Sequence, residues 1–348
     1  MSIPPRSREP KLVDLALQGG GAHGAFTWGV LDRLLEEPWL RIDGISGTSA
    51  GAMNAAVLAH GYITKGAEGA REALEKFWRQ VSEAARLSPL KRSLLDMLLG
   101  RWSLDYSPIF QSMDIMARVV SPYYLNPQGY NPLRDILADS ICFDTLNESP
   151  IKLFITATNV QTGRGRVFRN SELTPEVLLA SACLPTMFHA VEIDGEPYWD
   201  GGYSGNPTLT PLVRDCDSED TIIVQVNPVK RPGTPCTASE IANRLNEVSF
   251  NAVLLKELRM MALLHQVSAA NVEGATGEGA KWAHMRIHRI ASDAMLDLGY
   301  SSKLNAEWAF LLHLRDIGRA EANTFLAEHG NAIGKRSSFD ISELLDSV

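Results

Sequence analysis

The sequence predicts an α/β fold built on a mostly parallel central sheet. Two glycine-rich elements lie less than one βαβ unit apart near the N-terminus, and each follows a short apolar run that is typical of a buried strand. A helical pattern follows each glycine element. The order strand, loop, helix, strand, loop, helix is the arrangement of parallel α/β proteins.

Length and composition narrow the classes of protein to which the chain can belong. The 348 residues are 45% hydrophobic, which is enough to bury a large core, and we predict a single domain over residues 1–348. The formal net charge is -8 and there is no basic stripe, so nucleic acid is not an expected partner. The four cysteines are expected to be reduced structural thiols: Cys142, Cys183, Cys216 and Cys236.

Targeting signals are not evident in the sequence. Residues 1–10 are charged and contain proline, without the apolar core of a signal peptide, and no stretch approaches the ~18 apolar residues of a membrane span. We therefore expect a cytoplasmic protein that can bind peripherally at a membrane. The sequence does not determine its oligomeric state.

The elements follow from the hydrophobic pattern in order. Residues 12–17 and 42–46 are predicted as the first two strands, with helices over 25–36 and 50–59. Residues 67–137 have a helical pattern broken by prolines and are predicted as a helical insertion. Further strands are predicted at 151–158, 166–168, 221–226 and 283–290, and further helices at 174–182, 238–271 and 305–329.

The second glycine element, residues 47–51, has the form Gly-x-Ser-x-Gly of a nucleophile elbow. In such an elbow a serine lies on a tight turn between a strand and a helix, and Gly47 and Gly51 allow the chains to approach closely. Ser49 is therefore a candidate nucleophile. The alternative is that Ser49 only caps the following helix.

The first glycine element, residues 18–24, can supply an oxyanion hole, because glycines let backbone N–H groups approach a developing negative charge. The same residues satisfy the Gly-x-Gly-x-x-Gly dinucleotide fingerprint, with Asp43 about 20 residues further on. However, Asp43 begins the second strand, whereas the carboxylate that binds a ribose should lie at the strand's carboxyl end. This favours the hydrolase interpretation.

A serine nucleophile needs a base, and none of the eight histidines lies in an obvious catalytic motif. Asp200 is a better candidate, because Gly201 and Gly202 follow it directly and such a turn can direct a carboxylate into a site. An ordinary Asp-Gly turn is the alternative explanation of this segment.

Taken together, residues 18–24, 47–51, 181–188 and 200–202 resemble the patatin-like phospholipase family, in the expected order. The resemblance covers residues 12–227, and nothing diagnostic is recognised in the C-terminal extension, residues 228–348. It implies a three-layer α/β/α fold and a Ser-Asp dyad without histidine or any metal or organic cofactor. On these positions the dyad is Ser49 and Asp200, and the oxyanion hole is Gly20 and Gly21 with support from Gly19.

One position departs from the pattern of the family. The family often has Arg or Lys just before the last glycine of the loop, where this chain has His23. A simple substitution at a packed loop position is the favoured explanation. A Ser-His variant, with His23 as the base, stays open as an alternative.

Apolar residues in the predicted insertion have two explanations. A leucine-rich run alternates with Lys91, Arg92 and Arg101, which is compatible with a lid at a lipid interface or with ordinary core packing. The run comprises Leu90, Leu94, Leu95, Met97, Leu98, Leu99 and Trp102. We therefore expect the region 87–130 to be either a lid or part of the core.

The predicted function is lipid acyl hydrolysis of phospholipid or related esters through an acyl-serine intermediate. The partner is a lipid or ester substrate, with transient contact at a membrane surface. An acyltransferase or a thioesterase would use the same serine. A dinucleotide-binding protein and a non-catalytic lipid-binding module are the remaining alternatives.

Overall fold

An eight-stranded mixed sheet forms the centre of the protein. The computed structural model describes residues 8–86, 88–269 and 277–345. The strands are β1 Lys11–Leu17, β2 Leu40–Gly47, β3 Lys152–Asn159, β4 Gly165–Arg169, β5 Val191–Ile193, β6 Glu196–Asp200, β7 Asp220–Val224 and β8 Arg286–Ile290. Hydrogen-bonded neighbours follow the order β5-β6-β3-β2-β1-β7-β8, and β4 pairs with β3 outside this path.

The pairing of β3 shows where the sheet changes from parallel to antiparallel strands. β3, β2, β1, β7 and β8 are parallel, whereas β4 and β6 pair with β3 in the antiparallel sense. β4 pairs with residues 154–158, β2 with residues 152–155 and β6 with residues 157–159. Because a strand has only two edges, β2 and β6 share the edge opposite β4. Thus β6 begins its pairing where β2 ends.

Eleven helices occur in the part of the chain that the structure describes. They are α1 Gly24–Leu34, α2 Ala50–Ala85, α3 Leu94–Leu98, α4 Pro108–Val119, α5 Pro122–Leu125, α6 Leu133–Ser140, α7 Pro175–Ser181, α8 Thr210–Asp215, α9 Ala238–Ala269, α10 Glu278–His284 and α11 Trp308–His329. Helix α2 is bent at Lys65 and Gly66, where the backbone leaves helical angles.

Side-chain alternation along the central strands divides the core into two layers. Leu15 and Leu17 of β1 pack in a cluster with α1, α2 and α11, whereas Ala16 between them packs on the other face with α8 and α9. In β3, Leu153 and Ile155 point to the first face. The sheet is therefore covered by helices on both faces, as a three-layer α/β/α fold requires.

Most of the predicted elements are confirmed, and Thr174 caps α7 with its side chain, with a proline in the first turn of the helix. Two differences stand out. The strand predicted at 283–290 starts at Arg286, because residues 278–284 form α10. Helix α11 starts at Trp308 after a 3-10 turn at Tyr300–Leu304. The end of the helix predicted at 238–271 lies outside the described residues.

Two short strands, β5 and β6, were not predicted. Asp200 is the last residue of β6, and the turn predicted at this segment is the 3-10 turn Gly201–Tyr203 that follows it. Strand β6 has only five residues and contains Pro197, so it lacks a clear strand pattern.

The chain between α2 and α6 combines packed and exposed parts. Helix α2 runs on to Ala85, past the predicted start of the insertion, and its Leu74, Phe77 and Trp78 are buried in the core. Helices α3, α4 and α5 instead leave most of their large apolar side chains exposed. No described helix is long and apolar enough to cross a bilayer.

Candidate active site

The turn between β2 and α2 has the geometry of a nucleophile elbow. Ser49 has φ 56° and ψ -124°, a strained conformation for a residue with a side chain, and α2 begins at the next residue. A Cβ on Gly51 would lie 2.3 Å from the carbonyl oxygen of Leu17, so only glycine permits this close packing of helix on strand. The Ser49 side chain does not cap α2, so the capping explanation of this serine is wrong.

Ser181, the last residue of α7, forms a hydrogen bond with the backbone of the elbow. Its hydroxyl accepts a hydrogen bond from the Ser49 N–H at 2.9 Å and donates to the Thr156 carbonyl oxygen in β3 at 2.7 Å. Ser181 is fully buried. The backbone of Ser49 is therefore tied to the centre of the sheet through one hydroxyl group.

Asp200 lies beside the elbow and is buried, with 1% of its surface exposed. Its Oδ1 accepts a hydrogen bond from the Gly202 N–H at 2.7 Å, which is the Asp-Gly turn that the sequence indicates. Burial raises the pKa of Asp200 to about 7, while the hydrogen bond from the Gly202 N–H, the nearby Ser49 hydroxyl and the charge of Lys303 act to lower this pKa. The structure thus places the predicted Ser49 hydroxyl beside the Asp200 carboxyl group.

The first glycine loop follows β1 and is held by hydrogen bonds to both backbone polar groups of Gly19. The Gly19 N–H donates to Asn206 Oδ1 at 2.6 Å, and the Gly19 carbonyl oxygen accepts from Asn227 Nδ2 at 2.9 Å. A Cβ on Gly19 would lie 2.7 Å from Ser49 Cβ, so this loop contacts the elbow directly. Within the described chain, the N–H groups of Gly20 and Gly21 donate no hydrogen bond to a protein acceptor.

Gln18 fixes the base of this loop. Its Oε1 accepts hydrogen bonds from the backbone N–H groups of Val226 and Asn227, both at 3.0 Å. Its Nε2 donates to Asn251 Oδ1 at 2.9 Å and to the Asn206 carbonyl oxygen at 3.2 Å. The side chain is fully buried, so it orders the loop without contact with solvent.

His23 lies in the same loop but has a different partner. Its Nε2 is 2.8 Å from the Ser302 hydroxyl, and its buried Nδ1 has no hydrogen-bond partner among the described residues. Burial, and then the nearby charge of Lys303, lower the pKa of His23 well below its usual range. The ring is therefore neutral and makes no hydrogen bond with Ser49, which speaks against the Ser-His alternative.

Asp43, the residue of the dinucleotide alternative, is engaged elsewhere. Its Oδ2 accepts from the Asp217 N–H at 2.5 Å, and Lys152 lies 3.2 Å from its Oδ1. With Asp14 and Cys216 it forms a buried cluster with spacing suited to a metal, the one such cluster found in the described ranges. Protein donors already occupy the oxygens of Asp43, and the cluster lies away from the glycine loop.

A family model described as patatin-like phospholipase matches residues 15–213, more than half of the chain. The chain belongs to the patatin-like phospholipase family. This patatin-like phospholipase is accordingly a lipid ester hydrolase, and its three-layer fold is the one that the family resemblance implies. No curated protein matches it significantly.

Two solved structures are similar to this patatin-like phospholipase at low identity. VipD from Legionella pneumophila is 15% identical, with a TM-score of 0.34 over 89% of this chain and 67% of VipD. The ExoU–SpcU complex from the type III secretion system of Pseudomonas aeruginosa is 17% identical, with a TM-score of 0.31 over 97% of this chain and 75% of that chain. Neither similarity carries weight in the assignments that follow.

Several residues that build the site were not predicted as functional. Ser181 lies in a segment that carried the family resemblance, but its contact with Ser49 depends on the packing of α7 against β3. Asn206, Asn227 and Lys303 lie far from the glycine loop in sequence. A polar residue next to a glycine or proline, as in Asn206-Pro207 and Asn227-Pro228, is the one local signal that could have drawn attention to two of them.

Proposed function

We propose that this patatin-like phospholipase cleaves carboxylic esters of phospholipids, in the manner of a phospholipase A, through an acyl-Ser49 intermediate. The observation that carries the proposal is the position of the Ser49 hydroxyl, on its strained elbow, beside the buried Asp200 carboxylate, whose pKa this hydroxyl lowers. A nucleophile within reach of a base is the arrangement that acyl transfer requires.

In the first step, Asp200 accepts the Ser49 hydroxyl proton while Oγ attacks the carbonyl carbon of the ester. The tetrahedral intermediate then collapses, the bond to the alcohol oxygen breaks and the alcohol leaves with the proton held by Asp200. In the second step, water gives a proton to Asp200 as it attacks the acyl-Ser49 carbonyl. The bond between the acyl carbon and Oγ then breaks, Oγ takes the proton from Asp200, and the fatty acid is released with the serine restored.

Burial makes Asp200 a better base than an exposed aspartate. A carboxylate with a pKa near 3.9 is a weak base for an alcohol, whereas the raised pKa of about 7 is close to a neutral working pH. Because Asp200 accepts a hydrogen bond from the Gly202 N–H, its orientation is fixed before the substrate binds.

The oxyanion is proposed to bind to backbone N–H groups of the glycine loop. The N–H groups of Gly20 and Gly21 are available, and the N–H of Ala50, the residue after the nucleophile, also makes no hydrogen bond with a described acceptor. The N–H of Gly19 is taken by Asn206, which supports a role for Gly19 in holding the loop and not in binding the oxyanion. Removal of one oxyanion donor typically costs about 2.7–4 kcal/mol of barrier.

The site is proposed to face a lipid surface through an apolar cap. The apolar cap is defined as the exposed large apolar side chains of residues 94–125, which are 43–84% exposed. They are Leu94, Leu95, Met97, Leu98, Leu99, Tyr106, Ile109, Met113, Ile115, Met116, Val119, Tyr123, Tyr124 and Leu125. Such a concentration of exposed apolar side chains is typical of a site of membrane or protein interaction.

The cap is anchored to both sides of the candidate active site. On one side the Tyr123 ring stacks on the His189 ring, with the ring centroids 4.0 Å apart. The His189 carbonyl oxygen accepts a hydrogen bond from the Cys183 thiol, and the Cys183 carbonyl oxygen accepts one from the Asp200 N–H. On the other side the Leu104 N–H donates to Ser301, next to the Ser302 that contacts His23. These anchors support a cap that delivers lipid to the dyad.

Two residues of the predicted lid do not belong to this surface. Trp102 stacks on Phe310 at 5.1 Å, and Arg92 covers the Trp102 ring while it pairs with Glu307 at 2.6 Å. The core explanation therefore holds for Trp102. The lid explanation is retained for the exposed leucines of α3.

The experiment is fatty-acid release from phosphatidylcholine vesicles by the wild type, Ser49→Ala and the exposed control Ser342→Ala. We expect turnover in the wild type and in Ser342→Ala, and none in Ser49→Ala. An added alcohol or thiol that takes the acyl group faster than water would indicate the acyltransferase or thioesterase alternative instead. Lipid binding without turnover by any variant would indicate a lipid-binding module, and NAD(P) binding that survives in Ser49→Ala would indicate the dinucleotide alternative.

A further inference from the structure

A short segment of the C-terminal extension packs directly on the glycine loop. The 3-10 turn Tyr300–Leu304 contains Lys303, whose carbonyl oxygen would lie 2.4 Å from a Cβ on Gly21. Gly21 has φ +58° and so already requires glycine. With the contact between Ser302 and His23 described above, the turn is held to the loop at two points.

Lys303 is partly buried beside this loop. Its Nζ donates to Asn227 Oδ1 at 2.8 Å and to Asn246 Oδ1 at 2.6 Å, and both acceptors are neutral amides. Asn227 in turn donates to the Gly19 carbonyl oxygen at 2.9 Å. Two hydrogen bonds therefore connect the ammonium group to the peptide that begins the oxyanion loop.

Lys303 has no carboxylate within ion-pair distance in the described part of the chain. The carboxylate whose charge acts on Lys303 most strongly, that of Glu247, already pairs with Arg231 at 2.7 Å and with Arg244 at 3.1 Å. Asp200 likewise has no ion-pair partner among those ranges, although the charges of Lys303 and Asp200 act on each other. Burial of an unpaired charge opposes folding, and such charges cluster at functional sites.

We propose that Lys303 is a positioning residue of the acyl-transfer reaction, whose positive charge behind the Gly19–Gly21 loop keeps Asp200 ionised and favours negative charge at the oxyanion. The inference rests on the proposed function of Ser49 and Asp200. Lys303 acts through the field it creates and through Asn227, and it does not contact the substrate. Through Lys303, the C-terminal extension contributes to the reaction.

The pH dependence of the reaction separates this role from a structural one. Burial lowers the pKa of Lys303 to about 8, although Glu247 and Asp200 act to raise it. Asp200 titrates at about 7, and Lys303 is one of the groups that lower its pKa. Labelling of Ser49 should therefore rise as Asp200 ionises and decline as Lys303 loses its proton.

Other charged and titratable groups surround Lys303 and Asp200. His23 in the glycine loop is neutral, and Arg231 is paired with Glu247 of α9. Beside Asp200, burial raises the pKa values of Cys183 and Tyr203 to about 12. His23, Cys183 and Tyr203 are therefore not expected to change their charge between about pH 6 and pH 9.

The test measures the rate of fluorophosphonate labelling of Ser49 from about pH 5.5 to pH 10 in the wild type, Lys303→Met, Lys303→Arg and the exposed control Lys256→Met. We expect Lys303→Met to be slower by about tenfold or more near neutral pH, the change that one pKa unit represents. In the plot of labelling rate against pH for Lys303→Met, the acidic limb, where the rate rises, should move to higher pH. The alkaline limb, where the rate falls, should disappear. Lys303→Arg should restore the rate and move the alkaline limb upward, and Lys256→Met should match the wild type.

A milder variant keeps the test decisive if Lys303→Met does not fold. Asn246→Ala removes one acceptor of the ammonium group and should move the alkaline limb to lower pH. Limbs that stay in place in both Lys303→Met and Asn246→Ala, whatever the rate, would overturn the proposal and leave Lys303 with a structural role. A wild type that is not labelled at Ser49 at any pH would instead contradict the proposed function itself.

Discussion

Gly47 and Asp200 pair with the same edge of β3, at Ile155 and Ala157. Gly47 ends β2 two residues before Ser49, and Asp200 ends β6. A single strand, β3, therefore sets the spacing between the elements that carry the proposed nucleophile and base. Their pairing positions on β3 are two residues apart. Ser181 adds a third connection to this strand, because its hydroxyl joins the Ser49 N–H to the carbonyl oxygen of Thr156, the residue between Ile155 and Ala157.

The first prediction concerns that connection. Ser181→Ala should lower kcat about tenfold or more with little change in KM, because the Ser49 N–H loses its acceptor and a buried unpaired donor costs about 1–3 kcal/mol. The matched control is Ser218→Ala, since Ser218 is also buried and hydrogen-bonded but lies at the opposite end of the sheet, next to the first residue of β7. Steady-state kinetics of both variants on a soluble ester would show the difference. Equal activity of the two variants would mean that Ser181 has no special role at the elbow.

The second prediction concerns the shape of the glycine loop. Gly20 has φ 174°, an extended conformation that any residue adopts, but a Cβ there would lie 3.0 Å from Val226 Cγ2. Gly20→Ala should therefore push the loop and lower kcat by about 10- to 100-fold, less than the loss of a whole oxyanion donor.

The matched rescue for this variant is the double substitution Gly20→Ala with Val226→Ala, which removes the methyl group that the new Cβ meets. Ester hydrolysis by the double variant should recover most of the lost kcat. If Gly20→Ala alone is fully active, or if the double variant is as slow as the single one, crowding against Val226 does not control this loop.

The third prediction concerns stability. Burial raises the pKa of Asp200 from 3.8 to about 7, so its contribution to folding is most favourable below about pH 3.8 and declines as the pH rises through about 7. Asp200→Asn keeps an acceptor for the Gly202 N–H but removes the buried charge. It should therefore raise the free energy of unfolding at pH 8 by up to about 4 kcal/mol, the equivalent of three pKa units.

Thermal unfolding of the wild type, Asp200→Asn and the exposed control Asp139→Asn would check this prediction. The midpoint of Asp200→Asn should exceed that of the wild type at pH 8, and the gap should narrow towards pH 4.5. A gap of the same size at both pH values, or a loss of stability at pH 8, would show that the carboxylate is not destabilised by its burial.

The fourth prediction concerns the apolar cap. Leu94 and Leu98 of α3 are 80% and 84% exposed, and their replacement by aspartate should remove binding to lipid vesicles without loss of the fold. Vesicle flotation of Leu94→Asp/Leu98→Asp should show a fall of about tenfold or more in the bound fraction, because each aspartate carries a charge to the lipid boundary.

The control for the cap is Leu245→Asp, since Leu245 is 63% exposed on α9, outside the cap. Its flotation should equal that of the wild type. An equal loss in both variants would show that binding does not depend on the cap. Self-association of the wild type that disappears in the α3 variant would indicate that a second copy, and not a membrane, covers this surface.

The elements encoded by local patterns could be predicted from the sequence. The two units of strand, glycine loop and helix that begin with the neighbouring strands β1 and β2 are short-range features, and the positive φ of Ser49 follows from its place between Gly47 and Gly51. The assignment of Ser49 and Asp200 as a dyad came from a resemblance and stays a prediction. The division into a core, an insertion at 67–137 and an extension also stays a prediction.

The parts that could not be predicted depend on contacts between distant segments. Strand β6 is short and contains Pro197, and it is stabilised by pairing with β3 and β5. Lys303 lies 279 residues after the end of the glycine loop at Gly24, so no local pattern links the two. Whether Leu98 is core or surface depends on what packs against α3, which a helical period does not reveal.

Fluorophosphonate labelling followed by intact and peptide mass spectrometry tests the central claim most directly. We predict one adduct per wild-type chain, located on Ser49, absent in Ser49→Ala and formed at least about 100-fold more slowly in Asp200→Asn. An adduct on another residue would contradict the assignment of the nucleophile, and equal labelling of Asp200→Asn would contradict that of the base. A folded wild type that stays unlabelled in the presence of vesicles would contradict the Ser-Asp mechanism as a whole.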